Sequence, residues 1–331
     1  MLYRSLKVIV RFAMLIFCRK VIVNNRAMLK AKGPLLLACN HPNSFLDSVI
    51  LDTLFEQPVW SLARGDVFKK RFVVKILTKL RILPVYRTSE GVENLSENYK
   101  TFDACIDLFK KNGIVMIFSE GKCINEWHLR PLKKGTARLA IKAWEENIPL
   151  KVLPVGINYS SFRRFGKNMF INFGNIITTD EIDMREADGL RHQSFNIKLK
   201  QELGQLVYEI PNTDKKQQAA LLAIKPSLLK KIFLFLPAIP GWIIHAPLYL
   251  PVKNFTWKRT NHNDHYDSIL TGILLVTYPF YLLIITATLW IIFGYWWIVF
   301  LLLLLPFTAW AYIQLKPQLD VRPANMLSAG L

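Results

Sequence analysis

Short apolar runs and stretches of helical periodicity alternate along the first two thirds of the chain. The runs at 35–39, 59–63, 82–85, 114–118 and 151–157 are bounded by polar or turn-forming residues and predict strands. Between them the spacing predicts helices at about 44–55, 66–80, 93–112 and 134–147, the third stopped by Asn112-Gly113. Such alternation predicts an α/β fold, a mostly parallel sheet flanked by helices. In sheets of this kind ligands bind beyond the carboxyl ends of the strands, so chemistry is sought in the residues that follow them.

The last third reads differently. From Ser268 through Leu315, 48 residues pass without an Asp, Glu, Lys or Arg, whereas one hydrocarbon crossing needs about 20 apolar residues. Phe293-Gly294-Tyr295-Trp296-Trp297 divides the run with a turn-permissive glycine and interfacial aromatics. The pattern predicts a helical hairpin over 269–314, roughly 269–292 and 296–314. Two buried helices of a soluble core are the competing reading, and the lack of any polar interruption argues against it. An earlier apolar segment, 232–251, carries Pro237, Pro240, Pro247 and Pro251. Each removes a backbone donor, so a re-entrant or interfacial segment is expected in place of a straight span. Lys230, Lys231, Lys253, Lys258 and Arg259 flank it, and Lys316 and Arg322 follow the hairpin. With basic flanks inside, these boundaries are cytoplasmic and the hairpin tip faces outward.

At the N-terminus, Leu6 to Lys20 mixes apolar residues with cations, and Arg11 interrupts any signal-peptide core. An interfacial helix within residues 1–30 is expected, its cations snorkelling toward lipid phosphates. The organisation that follows is 1–30 as that helix, 31–212 as the α/β domain and 213–331 as linker and membrane region, with Asn212 to Gln218 as the linker.

Lys and Arg outnumber Asp and Glu by 43 to 24, a net charge of +19, which calls for an anionic partner. Nucleic acid is not expected: no reader motif or zinc spacing is present, and the uncharged 48-residue run has no role in it. Cys18, Cys39, Cys105 and Cys123 are scattered and predict neither disulfides nor a thiolate zinc site. His262, Asp264, His265 and Asp267 offer ligand-type side chains, but polar residues are expected in a loop before a hairpin, and no metal is assigned.

Candidate chemistry begins after the first strand, at Asn40-His41-Pro42-Asn43-Ser44-Phe45-Leu46-Asp47. A histidine with a nearby carboxylate forms a general base and its orienter. On one continuous helix, six positions would set the two side chains about 120° apart, so His41 must lie in a turn before the helix to reach Asp47. Backbone donors of the 41–44 turn are candidates for stabilising an oxyanion. Ile82-Leu83-Pro84-Val85-Tyr86-Arg87 ends a second strand on a guanidinium suited to bidentate phosphate contact. Ile117-Phe118-Ser119-Glu120-Gly121-Lys122 puts a carboxylate, a glycine and a cation after a third, and Leu153-Pro154-Val155-Gly156-Ile157-Asn158 closes a fourth.

In this order the four segments resemble the blocks of the glycerolipid acyltransferases, the lysophosphatidic acid and glycerol-3-phosphate acyltransferase superfamily. The likeness covers about residues 33–176 and includes Leu129 to Ala137. Five residues separate His41 from Asp47 where four are usual, which is similar to the fungal-type glycerol-3-phosphate acyltransferase branch, and Ser119 stands where proline is usual. The resemblance implies acyl transfer from a thioester of coenzyme A or acyl carrier protein to a hydroxyl of glycerol-3-phosphate or a lysophospholipid. His41 and Asp47 would be catalytic. Asn40, Arg87, Glu120, Gly121 and Lys122 would bind substrate, with Arg87 holding the acceptor phosphate. No further cofactor is implied, and no acyl-enzyme is needed, in keeping with the absence of a nucleophile-elbow pattern. Lys69, Lys70, Arg71, Lys75, Lys79 and Arg81 are suited either to anionic headgroups or carrier phosphates, or to a solvated basic face. The expected protein is an integral membrane acyltransferase with its catalytic domain on the cytoplasmic face. A remodelling transacylase, a lipase or a non-catalytic scaffold on the same fold are the alternatives.

Overall fold

A computed structural model describes residues 2–86 and 97–320. The strands are β1 (Cys18–Val23), β2 (Leu35–Cys39), β3 (Val59–Arg64), β4 (Ile82–Val85), β5 (Ile114–Phe118), β6 (Lys151–Tyr159) and β7 (Lys167–Phe173). The helices are α1 (Leu2–Phe17), α2 (Phe45–Leu54), α3 (Arg71–Lys79), α4 (Glu97–Lys110), α5 (Gly135–Glu145), α6 (Asp188–Leu206), α7 (Lys215–Leu222), α8 (Leu228–Thr260), α9 (Tyr266–Phe293) and α10 (Leu301–Leu315).

The described strands form one sheet in the order β1-β7-β6-β2-β5-β3-β4. Every pairing is parallel except β6 with β7, where Ile157 faces Ile171. The fold is therefore the mostly parallel sheet flanked by helices that the periodicity predicts. Central β2 is buried along its whole length, the pattern of a strand covered on both faces. Leu36 and Ala38 point into a core with Phe109, Leu139, Trp144 and Phe195 of α4, α5 and α6. Leu35, Leu37 and Cys39 point to the other face, toward Phe17, Ile50, Leu51 and Trp127.

Two strands escape the periodicity. The expected N-terminal helix stops at Phe17, and Cys18–Val23 turns into β1, which pairs with β7 at the sheet edge. The run Val21-Ile22-Val23 is β-branched throughout and favours a strand once a partner edge exists. Nor do the cations of α1 all reach outward. Arg11 Nε donates to the Thr53 carbonyl at 2.7 Å and Lys7 Nζ to the Phe55 carbonyl at 2.9 Å, both at the carboxyl end of α2, where positive charge is favoured. The opposite face of α1 leaves Val8, Ile9, Phe12 and Leu15 exposed.

Three C-terminal helices are long and apolar enough to cross a membrane: Leu228–Thr260, Tyr266–Phe293 and Trp296–Leu315. The last two are the predicted hairpin, turned at Gly294 with φ 70°. The proline-bearing segment is one continuous helix, α8. Its backbone is supported laterally, because the His245 ring contacts the Gly241 carbonyl through Nδ1 and Tyr278 through Nε2, and Tyr281 donates to the Ile244 carbonyl. At Gly241 a Cβ would lie 2.1 Å from the Thr308 carbonyl oxygen, so glycine is what lets α8 and α10 approach so closely. Both flanks of α8 rest on the α/β domain. Ile224 donates its N–H to Gln318, which itself accepts from Asn168 at the start of β7. At the other end Trp257 lies under the Arg163 guanidinium, 4.9 Å away.

Candidate active site

β2 ends at Cys39 and α2 begins at Phe45, so the 40–44 turn must reverse the chain within five residues. It does so at Ser44, whose φ of 51° and ψ of −141° are an uncommon non-glycine conformation. Asp47 then lies in the first turn of α2, and His41 folds back so that its Nδ1 is 2.9 Å from Asp47 Oδ2. The sequence expectation that the two side chains pair through a turn matches this geometry.

The pair is held from several sides. Asp47 is fully buried and accepts two further bonds, from the Asn43 N–H at 2.8 Å on Oδ2 and from the Tyr159 hydroxyl at 2.8 Å on Oδ1. A hydrogen on Nδ1 of His41 points at this carboxylate, and that tautomer leaves the Nε2 lone pair facing outward. The imidazole stacks on Phe118 at 3.8 Å between ring centres, which fixes the ring plane. Its side chain is 13% exposed, enough for one reactant to touch it.

Asn40 and Glu120 are anchored inside the protein. Asn40 exchanges two bonds with the Ile157 backbone, at 3.0 and 2.7 Å, stitching the end of β2 to β6. Glu120 accepts the His41 N–H at 2.7 Å and the Arg130 N–H at 2.8 Å. Burial pushes its carboxyl up from the ordinary range, and these two N–H groups draw it partway back. Gly121 takes φ 68°, and a Cβ there would also meet Lys133 Cγ at 3.0 Å, so the turn after β5 calls for glycine. Lys122 is exposed. Arg87 lies outside the described residues. Ser119 donates its N–H to the Cys39 carbonyl at 2.8 Å, a bond that the proline usual in the resembling family could not make.

One expectation is overturned. The N–H groups of the 41–44 turn are all engaged within the protein: His41 on Glu120, Asn43 on Asp47, and Ser44 on Cys123 Sγ at 2.8 Å, while Pro42 has none. They are not available to an oxyanion, because the tight turn directs each of them inward.

The largest feature missed from sequence is a clamp on this turn from the loop that precedes α9. His265 Nδ1 is 2.7 Å from Ser44 Oγ, and Asp267 accepts from Asn43 Nδ2 at 2.9 Å while pairing with buried Lys167 of β7. Asp264 accepts the Asn125 N–H at 3.2 Å, and Asn125 Nδ2 in turn donates to the Pro42 carbonyl at 2.8 Å. The polar loop before the hairpin thus spreads its ligand-type side chains over separate partners. Tyr159 was missed because nothing in a strand-end tyrosine signals which carboxylate it will meet 112 positions away.

Residues 20–158 match the family model described as Acyltransferase. The matched segment contains His41, Asp47, Glu120 and the strands β2 to β5 that present them. No curated protein matches the chain in sequence. Among solved structures, the chain is similar to "1-acyl-sn-glycerophosphate (LPA) acyltransferase, PlsC, from Thermotoga maritima", at 18% identity and a TM-score of 0.42, covering 61% of this chain and 79% of that one.

Proposed function

We propose that this protein is a membrane-bound O-acyltransferase that moves a fatty acyl group from a thioester, of coenzyme A or acyl carrier protein, to a hydroxyl of glycerol-3-phosphate or a lysophospholipid. The observation that carries the reading is the His41–Asp47 pair, presented at the end of β2 inside the segment that matches acyltransferases.

The acceptor hydroxyl gives its proton to His41 Nε2 as its oxygen attacks the thioester carbonyl carbon. Asp47 stabilises the imidazolium through Nδ1–H. The tetrahedral intermediate then collapses with cleavage of the carbon–sulfur bond. The departing sulfur takes the proton from His41, so acid, base and charge balance without an acyl-enzyme. The acceptor phosphate is assigned to Arg87, with Lys122 as a further anion contact at the exposed rim. Glu120 and Gly121 shape the acceptor side by fixing the turn beside His41. The five-residue spacing between His41 and Asp47, similar to the fungal-type branch, favours glycerol-3-phosphate as the acceptor.

The membrane region is assigned as a hairpin crossing (α9 and α10) with the continuous helix α8 lying at the interface. Support comes from the ends of α8, both of which rest on the α/β domain, and from the 261–267 loop, which touches the catalytic turn. A helix delivering its end across the bilayer would leave one of these contacts on the wrong side. The basic flanks favour the cytoplasmic face for the domain. The exposed apolar face of α1 suits the lipid interface.

The test offers radiolabelled acyl-coenzyme A, and separately acyl-carrier-protein thioester, to detergent-purified protein with glycerol-3-phosphate or lysophosphatidic acid. Product with one acceptor, absent without thioester, supports the assignment and names the substrate. No product from any pairing overturns it and moves weight to a transacylase or scaffold.

A further inference from the structure

A cavity of about 1500 Å³ lies between α1, α8, α9 and α10 and the α/β domain, above the roughly 300–1,000 Å³ of ordinary small-molecule pockets. Apolar side chains such as Phe12, Trp242, Leu274 and Phe307 supply most of its wall. Its ionisable lining is nevertheless one-sided: Arg163, Arg164, Lys215, Lys253 and Lys316 face it, against the single carboxylate of Asp320.

The cations are poorly compensated. Arg163 Nη1 and Arg164 Nε are buried without a hydrogen-bond acceptor among the described residues. The Asp320 carboxylate stands 3.6 Å from Arg164 Nε and is held by the Ser161 hydroxyl at 2.8 Å. Lys316 Nζ has the rings of Tyr249 and Tyr312 beneath it, at 5.1 and 5.5 Å. Burial and the neighbouring Arg164, Lys253 and Arg19 push this amine down to about 8. Orphaned guanidinium hydrogens and mutually repelling cations that share one site are costly unless an anion joins them.

We propose that the cavity seats an anionic phospholipid drawn from the bilayer, its phosphate among Arg163, Arg164 and Lys316 and its acyl chains between α1 and the three apolar helices. A free phosphate would satisfy the cations and leave the apolar volume empty. A neutral chain would leave the cations bare. The site is separate from the His41–Asp47 pair, and the proposal does not depend on which reaction that pair performs.

The test uses the full chain, delipidated in a neutral detergent and titrated with phosphatidylglycerol or phosphatidylcholine under native mass spectrometry. The expected result is a one-to-one phosphatidylglycerol adduct that inorganic phosphate and acyl-coenzyme A do not displace. Arg163→Gln, Arg164→Gln and Lys316→Gln should each weaken it roughly five-fold. Ala246→Phe changes no charge and narrows the cavity, and should weaken the phosphatidylglycerol adduct, so it carries the test if an arginine variant misfolds. His41→Ala should bind as wild type does, which keeps this result apart from the acyl-transfer assignment. Equal retention of phosphatidylcholine, or indifference to the variants, overturns the proposal. Displacement by acyl-coenzyme A would give the cavity to the donor, and displacement by inorganic phosphate would reduce it to a small-anion site.

Discussion

Tyr159, the last residue of β6, donates its hydroxyl to Asp47 at 2.8 Å, on the oxygen that His41 does not use. The carboxylate is thereby pinned between the turn after β2 and the end of β6. Burial and the adjacent Asp47 raise the Tyr159 phenol well above its ordinary range, so it stays a donor at any working pH. Tyr159→Phe removes this support without removing the base. The expected outcome is a folded protein with kcat lowered between about ten- and a hundred-fold by misplacement of the pair, and acceptor KM little changed. Steady-state kinetics check it.

Lys167 and Asp267 pair in full burial and join β7 to the first turn of α9. Removing one partner strands a charge, so Lys167→Met or Asp267→Asn should each cost about 3–5 kcal/mol. Removing both, as Lys167→Met with Asp267→Leu, should recover most of that loss. Thermal unfolding in detergent, followed by tryptophan fluorescence, distinguishes this from additive losses.

Glu120 gives a pH dependence. Burial raises its folded-state value above that of the unfolded chain, so the folded state binds more protons between the two. Stability then falls as pH rises through that window and levels off above the folded value. Glu120→Gln does not titrate, and its stability should be flatter than that of wild type across that window. A steeper decline in the variant than in wild type would contradict this account of the carboxyl.

All four cysteines are buried. Burial pushes Cys18 and Cys105 up to about 12 and raises Cys39 and Cys123 as well, so native protein should resist maleimide and keep its activity. That quiet background allows topology mapping with Lys225→Cys, His262→Cys and Tyr295→Cys in sealed vesicles. Positions 225 and 262, at the two flanks of α8, should label from the same side and 295 from the other. Labelling of 225 and 262 from opposite sides would mean that α8 crosses the bilayer.

Much of the frame was legible because local pattern decides it. β2, β4 and β5 begin and end where their apolar runs do, and the hairpin turn falls at Gly294. β1 was hidden because its identity as a strand depends on the edge of β7, about 150 positions away. His41 and Asp47 were legible because they sit six positions apart in one motif. The supports from Tyr159, Cys123, His265 and Asp267 were not, since each arrives from a distant element and only packing brings it to the turn. The oxyanion expectation failed for the same reason: a sequence shows that amides exist, and only the fold shows where they are spent.

The central claim is that His41 is the base for acyl transfer. The most direct measurement is the single-turnover rate of acceptor-dependent thioester cleavage by wild type and by a folded His41→Ala protein. The account predicts a loss of about 10²–10⁴-fold in the variant, with acceptor still bound. A variant that cleaves thioester within about twofold of wild type would contradict it, since a group worth so little is outside the ~10²-fold floor of general base catalysis.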